Sequence, residues 1–210
     1  MSTTVGPRVA SVPAAHPAPR RLETKRMILR CPEPIRDAPE AFAAIAADRD
    51  RLHRWLPWVP QICSEAEEQA FLERAEGFWE RNEQFNWLMF DRETFAYVGI
   101  LGTARIVWAD GLAELGYWLV SGFEGEGRMT EAVRQVEATL FAMGLHRLEI
   151  RCSSHNQRSA AIPQRLGYHL DGRLREDRVE RGQRVDTLIW SKLRSEHGPL
   201  IHDAAAQQPR

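Results

Sequence analysis

Ala113-Glu114-Leu115-Gly116-Tyr117-Trp118-Leu119-Val120 runs straight into Ser121-Gly122-Phe123-Glu124-Gly125-Glu126-Gly127-Arg128-Met129-Thr130-Glu131-Ala132. The first stretch reads as a strand and the second is rich in glycine. From Met129 the apolar period lengthens, with Val133, Val136, Leu140 and Met143 at helical spacing. A strand that turns through glycines into a helix aims several backbone N–H groups at one spot, backed by the positive end of the helix dipole. That is a phosphate cradle in physical terms, or an ordinary tight turn. It is not a P-loop, because the Gly-Lys-Ser/Thr ending is absent, and it lacks the third glycine of a dinucleotide fingerprint. Gly116, inside the strand, predicts a bulge or a close backbone approach. A bulge there would splay this strand from its neighbour and leave N–H and C=O groups for a ligand with amides of its own.

Downstream, Gly144 stops the helix and Arg147–Cys152 reads as a strand, with Leu148, Ile150 and Cys152 on one face. A strand, a crossover helix and a second strand imply a parallel pair. Asn156–Leu166 reads as a short helix. Two more strands, Tyr168–Arg175 and Arg184–Leu193, are joined by a turn at Arg181-Gly182. Upstream, Lys25–Cys31 alternates as a half-buried strand and the Ala-rich Asp37–Asp50 reads as a helix. Leu52–Pro60 is a loop carrying Trp55 and Trp58, since Pro57 and Pro60 remove backbone donors. Ser64-Glu65-Ala66-Glu67 forms a capping box that opens a helix ending near Asn82. Strands at Phe85–Phe90, Ala96–Val107 and Ala113–Val120 follow, the last two joined by a type I′ hairpin at Asp110-Gly111. The expected order is β-α-α-β-β-β-α-β-α-β-β: an α+β domain over residues 21–194, with disordered tails at 1–20 and 195–210.

Composition sets the outer bounds. The chain has 210 residues, 43% hydrophobic and 27% charged, which is globular. Lys+Arg 28 against Asp+Glu 29 leaves a net charge of −1, without the basic excess of a nucleic-acid or anionic-membrane binder. Three cysteines (Cys31, Cys63, Cys152) without paired spacing argue against a disulfide framework or a zinc site and fit a reducing, cytoplasmic setting. No apolar run approaches the roughly 18 residues that span a bilayer.

The chain resembles the GNAT acetyltransferases, and within them the RimJ/RimL-like branch that acetylates protein N-termini. Five stretches carry the resemblance. They are Leu22-Glu23-Thr24-Lys25-Arg26-Met27-Ile28-Leu29-Arg30, Trp55-Leu56-Pro57-Trp58-Val59, Glu114–Leu119, Gly125–Ala132, and Leu145–Cys152 running on to Asn156–Tyr168. They come in the family's order and cover about Leu22 to Leu193. In the family's loop motif, Gln/Arg-x-x-Gly-x-Gly/Ala, Gly127 matches while Glu124 and Met129 depart.

The resemblance implies a GNAT fold, a mixed and mostly antiparallel seven-stranded sheet flanked by about four helices. It implies acetyl-CoA as donor, no metal, and a primary amine as acceptor, first a protein N-terminus. A small-molecule amine, an aminoacyl-nucleotide, or a non-catalytic acyl-CoA-binding role are the alternatives, and a homodimer is common in the family. Tyr117, Trp118, Leu119, Glu124, Gly125, Glu126, Gly127, Arg128, Met129, Thr130 and Asn156 would hold the cofactor. Glu114 is the candidate base, or a salt-bridged strand residue. Ser159 is the candidate acid, or a helix-capping serine. Trp55 and Trp58 would wall the acceptor site, or pack against the sheet. Arg178 stands where some members carry a second carboxylate, with Glu176 and Asp177 beside it. Cys152 and Tyr168 read as core residues.

Overall fold

Eight strands form one sheet in the computed structural model, which describes residues 17–198. The elements are β1 (Arg21–Glu23), β2 (Met27–Arg30), α1 (Pro34–Ala47), α2 (Arg49–His53), α3 (Glu65–Glu80), β3 (Asn86–Asp91), β4 (Tyr97–Val107), β5 (Leu112–Leu119), α4 (Arg128–Ala142), β6 (Arg147–Ser153), α5 (Gln157–Arg165), β7 (His169–Glu180) and β8 (Gln183–Leu193). The spatial order is β1-β2-β3-β4-β5-β6-β8-β7. Every pairing is antiparallel except β5 with β6, the pair expected across the crossover helix.

The mixed α+β architecture is the expected one, with eight strands in place of seven and five helices in place of four. The additions are short. β1 has three residues, with Leu22 alone facing inward, too few to show alternation. α2 is a five-residue helix just ahead of the Pro57 loop. The type I′ turn also moves. Asp110-Gly111 closes through a 3-10 turn in which Gly111 alone is left-handed, whereas Arg181 and Gly182, between β7 and β8, both have positive φ.

Alternation sorts the core into two layers. Trp87, Met89 and Leu101 pack with Met129, Val133, Val136 and Leu140 of α4. Their strand neighbours Leu88, Phe90 and Ile100 pack with Ala38, Ala41 and Ile45 of α1 and Leu72 of α3. Each fully buried Val, Leu, Ile, Phe or Met side chain is worth about 1.5–3 kcal/mol. Ser64 caps α3 by accepting from Glu67 N–H, and Glu67 reaches back to Cys63 N–H at 2.6 Å.

Residues 1–16 and 199–210, most of the two expected tails, lie outside the described residues. The inner ends of those tails are packed. Trp79 and Trp87 are buried, and their indole N–H groups find acceptors in the carbonyls of Ala18 (3.3 Å) and Pro19 (3.2 Å). His197 meets Glu137 of α4 at 2.8 Å. Among the described residues no helix is long and apolar enough to cross a membrane.

Candidate active site

β5 and β6 pair only from Leu112↔Arg147 to Leu115↔Ile150. Beyond that register the two strands part, so the edge of β5 from Gly116 to Leu119 faces a gap. The bulge expected at Gly116 lies instead on β4, where Ala104 is the extra residue between Thr103 and Arg105. Gly116 pairs directly with Gly102. The splay therefore begins at Gly116 without a bulge in its own strand.

The gap opens into a cleft of about 1730 Å³, larger than the roughly 300–1,000 Å³ of a drug-sized pocket and suited to a long ligand. One end is the glycine turn. Gly125 and Gly127 are left-handed, with φ of 82° and 76°, and Gly127 is the N-cap of α4. Among the described residues, no acceptor takes a hydrogen bond from the backbone N–H groups of Gly125 to Thr130. These free donors lie at the N-terminal end of a 15-residue helix, where the helix dipole favours an anion.

The acidic side chains of this turn are each matched by arginine. Glu126 accepts from Arg128 at 2.9 Å, and Arg128 also meets Asp91 at 2.7 Å. Glu124 is held between Arg51 of α2, at 2.6 Å, and Arg158 of α5. Arg51 further grips Asp48 and the Leu119 carbonyl, both at 2.7 Å. Its hydrogen bond holds the Asp48 carboxyl at about 2, and Asp48 in turn accepts from Ser121 N–H. Arg26 completes the brace, bonding the Glu126 carbonyl at 2.9 Å and Glu131 at 2.7 Å. Arg26, Arg51 and Arg158 were not legible as site residues, because they come from separate elements with no common spacing; Arg128 was, from its place in the glycine turn.

At the middle of the cleft, Asn156 caps α5 by accepting from Ser159 N–H at 3.1 Å. The Ser159 hydroxyl meets the Tyr117 hydroxyl at 3.3 Å, and that phenol lies 3.2 Å from the Ser159 carbonyl. Burial pushes the Tyr117 phenol well up, so it stays protonated. Burial also raises the Cys152 thiol, while Ser159 and Arg178 oppose the rise. Cys152 is 4% exposed and belongs to the core, as does Tyr168. Trp118, Leu119, Met129 and Thr130 border the cleft, although the Trp118 ring stacks edge-on to Tyr97 and Met129 is buried under α4.

Glu114 sits two residues before the splay, on the opposite face of β5 from Leu115 and Tyr117. It does not line the cleft; Arg151, 3.7 Å away, does. Arg151 also reaches Glu149 at 3.3 Å. The two tryptophans divide. Trp55 and Leu56 wall the cleft, whereas Trp58 packs against the α1 core layer. Glu176 and Asp177, the alternative carboxylates, lie on an exposed bulge of β7 outside the cleft.

Residues 26–169 match the acetyltransferase (GNAT) domain family. The chain belongs to the GNAT acetyltransferases. As a GNAT enzyme it is an N-acetyltransferase whose acetyl donor is acetyl-CoA. Its relatives include the [ribosomal protein uS5]-alanine N-acetyltransferase of Escherichia coli, 27% identical across 80% of this chain and 88% of that one. Among solved structures it superposes on RimL, a ribosomal L7/L12 alpha-N-protein acetyltransferase in complex with coenzyme A. The TM-score is 0.79 at 20% identity, over 82% of this chain and 97% of that chain. The microcin C7 self-immunity acetyltransferase MccE, in complex with acetyl-CoA and AMP, gives 0.76 at 22% identity, over 80% and 93%. At these identities the two structures establish the shared GNAT fold.

Proposed function

We propose that this GNAT enzyme acetylates the α-amine of a protein N-terminus by direct transfer from acetyl-CoA. The observation that carries the reading is the pairing of an unpartnered N–H cradle at Gly125–Thr130 with the splay of β5 from β6 beginning at Gly116. The acceptor class is supported by the uS5-alanine enzyme, which aligns over most of both chains.

In this reading the pyrophosphate takes the cradle N–H groups, and the pantetheine amides pair along the open edge of β5. The thioester then ends near Ser159. An ammonium group has no lone pair to attack with, so a base must first take its proton. Glu114, at the root of the splay, is assigned that role, relayed by water because its side chain lies outside the cleft. Attack on the thioester carbonyl forms a tetrahedral oxyanion, which a backbone N–H of the β5 edge stabilises. Collapse expels the CoA thiolate, and the Ser159 hydroxyl returns a proton to it. Trp55 supports the acceptor chain.

The test is a thiol-release assay run with a panel of N-terminal peptides beside a panel of small amines and aminoacyl-nucleotides. Peptides are the expected substrates. Glu114→Gln keeps the shape without the basicity, so turnover falls by roughly 10²–10⁴ with donor affinity retained. Wild-type turnover in that variant removes Glu114 from the chemistry, and activity confined to small amines replaces the acceptor class.

A further inference from the structure

Arg178 enters the cleft from an irregular stretch of β7. β7 and β8 fall out of register between Leu174↔Thr187 and Arg178↔Val185, so Arg175, Glu176 and Asp177 loop out together. Glu176 takes φ of 52°, a left-handed conformation uncommon for a residue with a side chain. Asp186 holds the loop in place: its carboxylate accepts from Glu176 N–H at 2.8 Å and pairs with Arg173. A bulge beside a functional site re-aims the side chain that follows it. Here that side chain is Arg178, which lines the cleft together with Arg151, Cys152, Ser153 and Ser159.

Arg26, Arg51, Arg128 and Arg158 are bonded to carboxylates, as described above, while Lys25, Arg134 and Arg165 also line the cleft with no acid within 4 Å among the described residues. Arg178 is only loosely paired. Its nearest acid is Glu180, at 3.7 Å, beyond hydrogen-bond distance, and its guanidinium donates no hydrogen bond to any described residue. Arg151, which also lines the cleft, is bonded to Glu149 at 3.3 Å. A planar guanidinium fork that lines the cleft, is 31% exposed and makes no hydrogen bond to a described residue can receive a carboxylate.

We propose that Arg178 selects the acceptor: the preferred substrate is a polypeptide N-terminus with an aspartate or glutamate among the first residues after the α-amine. This rests on the N-terminal reading of the acceptor. It adds that the peptide is acidic and names the side chain that reads it.

The experiment uses the full chain and peptides that share their first residue and carry Glu, Gln or Lys at the second, third or fourth position. Wild-type enzyme is expected to favour one Glu peptide over its Lys counterpart by about tenfold or more in kcat/KM, mainly through KM, as a charge-assisted hydrogen bond should give. Arg178→Gln should erase that preference, and Arg178→Glu should turn it toward Lys. Both variants should keep the stabilisation by acetyl-CoA, which shows that the fold and the donor site are intact. Equal rates for Glu and Lys peptides with wild-type enzyme overturn the proposal, and so does a preference that survives both substitutions. Activity on small amines with none on any peptide overturns the N-terminal reading itself, and this proposal with it.

Discussion

The hydroxyls of Ser159, on α5, and Tyr117, on β5, lie 3.3 Å apart across the mouth of the splay. Asn156 fixes Ser159 from the other side by capping its backbone N–H. Serine's hydroxyl thus has one buried, protonated neighbour and faces the place assigned to the departing thiolate. A thiolate is a tolerable leaving group even without a proton, so the loss on removing this donor should be modest. Ser159→Ala and Tyr117→Phe should each lower turnover by about threefold to tenfold, the scale of one hydrogen bond. Both should cost far less than Glu114→Gln. Steady-state kinetics decides the matter: a Ser159→Ala loss equal to that of Glu114→Gln would move the principal proton transfer to serine.

Gly127 is the residue that tests the proposed donor site. Among the described residues, a Cβ there would meet nothing closer than the Arg26 guanidinium at 3.9 Å, so it would project into the proposed cradle. Its φ of 76° also disfavours any β-branched residue. Gly127→Val should fold with a stability loss of about 1–2 kcal/mol. Wild-type enzyme at acetyl-CoA roughly 100 times its dissociation constant gains about 2.7 kcal/mol. The variant should gain nothing in the same thermal melt, and an unchanged shift would place the cradle elsewhere.

Glu68 makes stability depend on pH. It lies on α3, is 3% exposed, and burial alone raises its carboxyl to about 7. The unfolded chain loses this proton near 4.5 and the folded chain near 7. The folded state therefore binds more protons in that window, and its stability falls as pH rises from about 4.5 to 7. Glu68→Gln, which imitates the protonated form, should stabilise the protein by on the order of 1–3 kcal/mol at pH 8. Near pH 4 it should change little. Urea unfolding at the two pH values checks this; equal effects at both would mean that Glu68 is not protonated in the fold.

Much of the frame was legible because long periodic segments betray themselves. The spacing from Met129 to Met143 placed α4, and the glycine turn placed its start. The parallel pairing of β5 with β6 followed from the crossover. What escaped was short or non-local. Three residues of β1 carry no period, and the packing of Ala18 and Pro19 depends on two indoles more than 60 residues away. Gly116 marked the right strand for the wrong reason, since the extra residue is Ala104 on the partner strand. Trp55 and Trp58 look alike in sequence, yet Trp55 alone faces the cleft. The braces around Glu124 join α2, the glycine turn and α5, three elements that only the folded chain brings together.

The most direct measurement is mass spectrometry of an N-terminal peptide with an internal lysine after incubation with acetyl-CoA and the enzyme. One acetyl group on the α-amine, with the lysine side chain untouched and one CoA thiol released per acetyl transferred, is the predicted result. Acetylation of the lysine amine, or thiol release with no acetyl on the peptide, would contradict N-terminal transfer at this cleft.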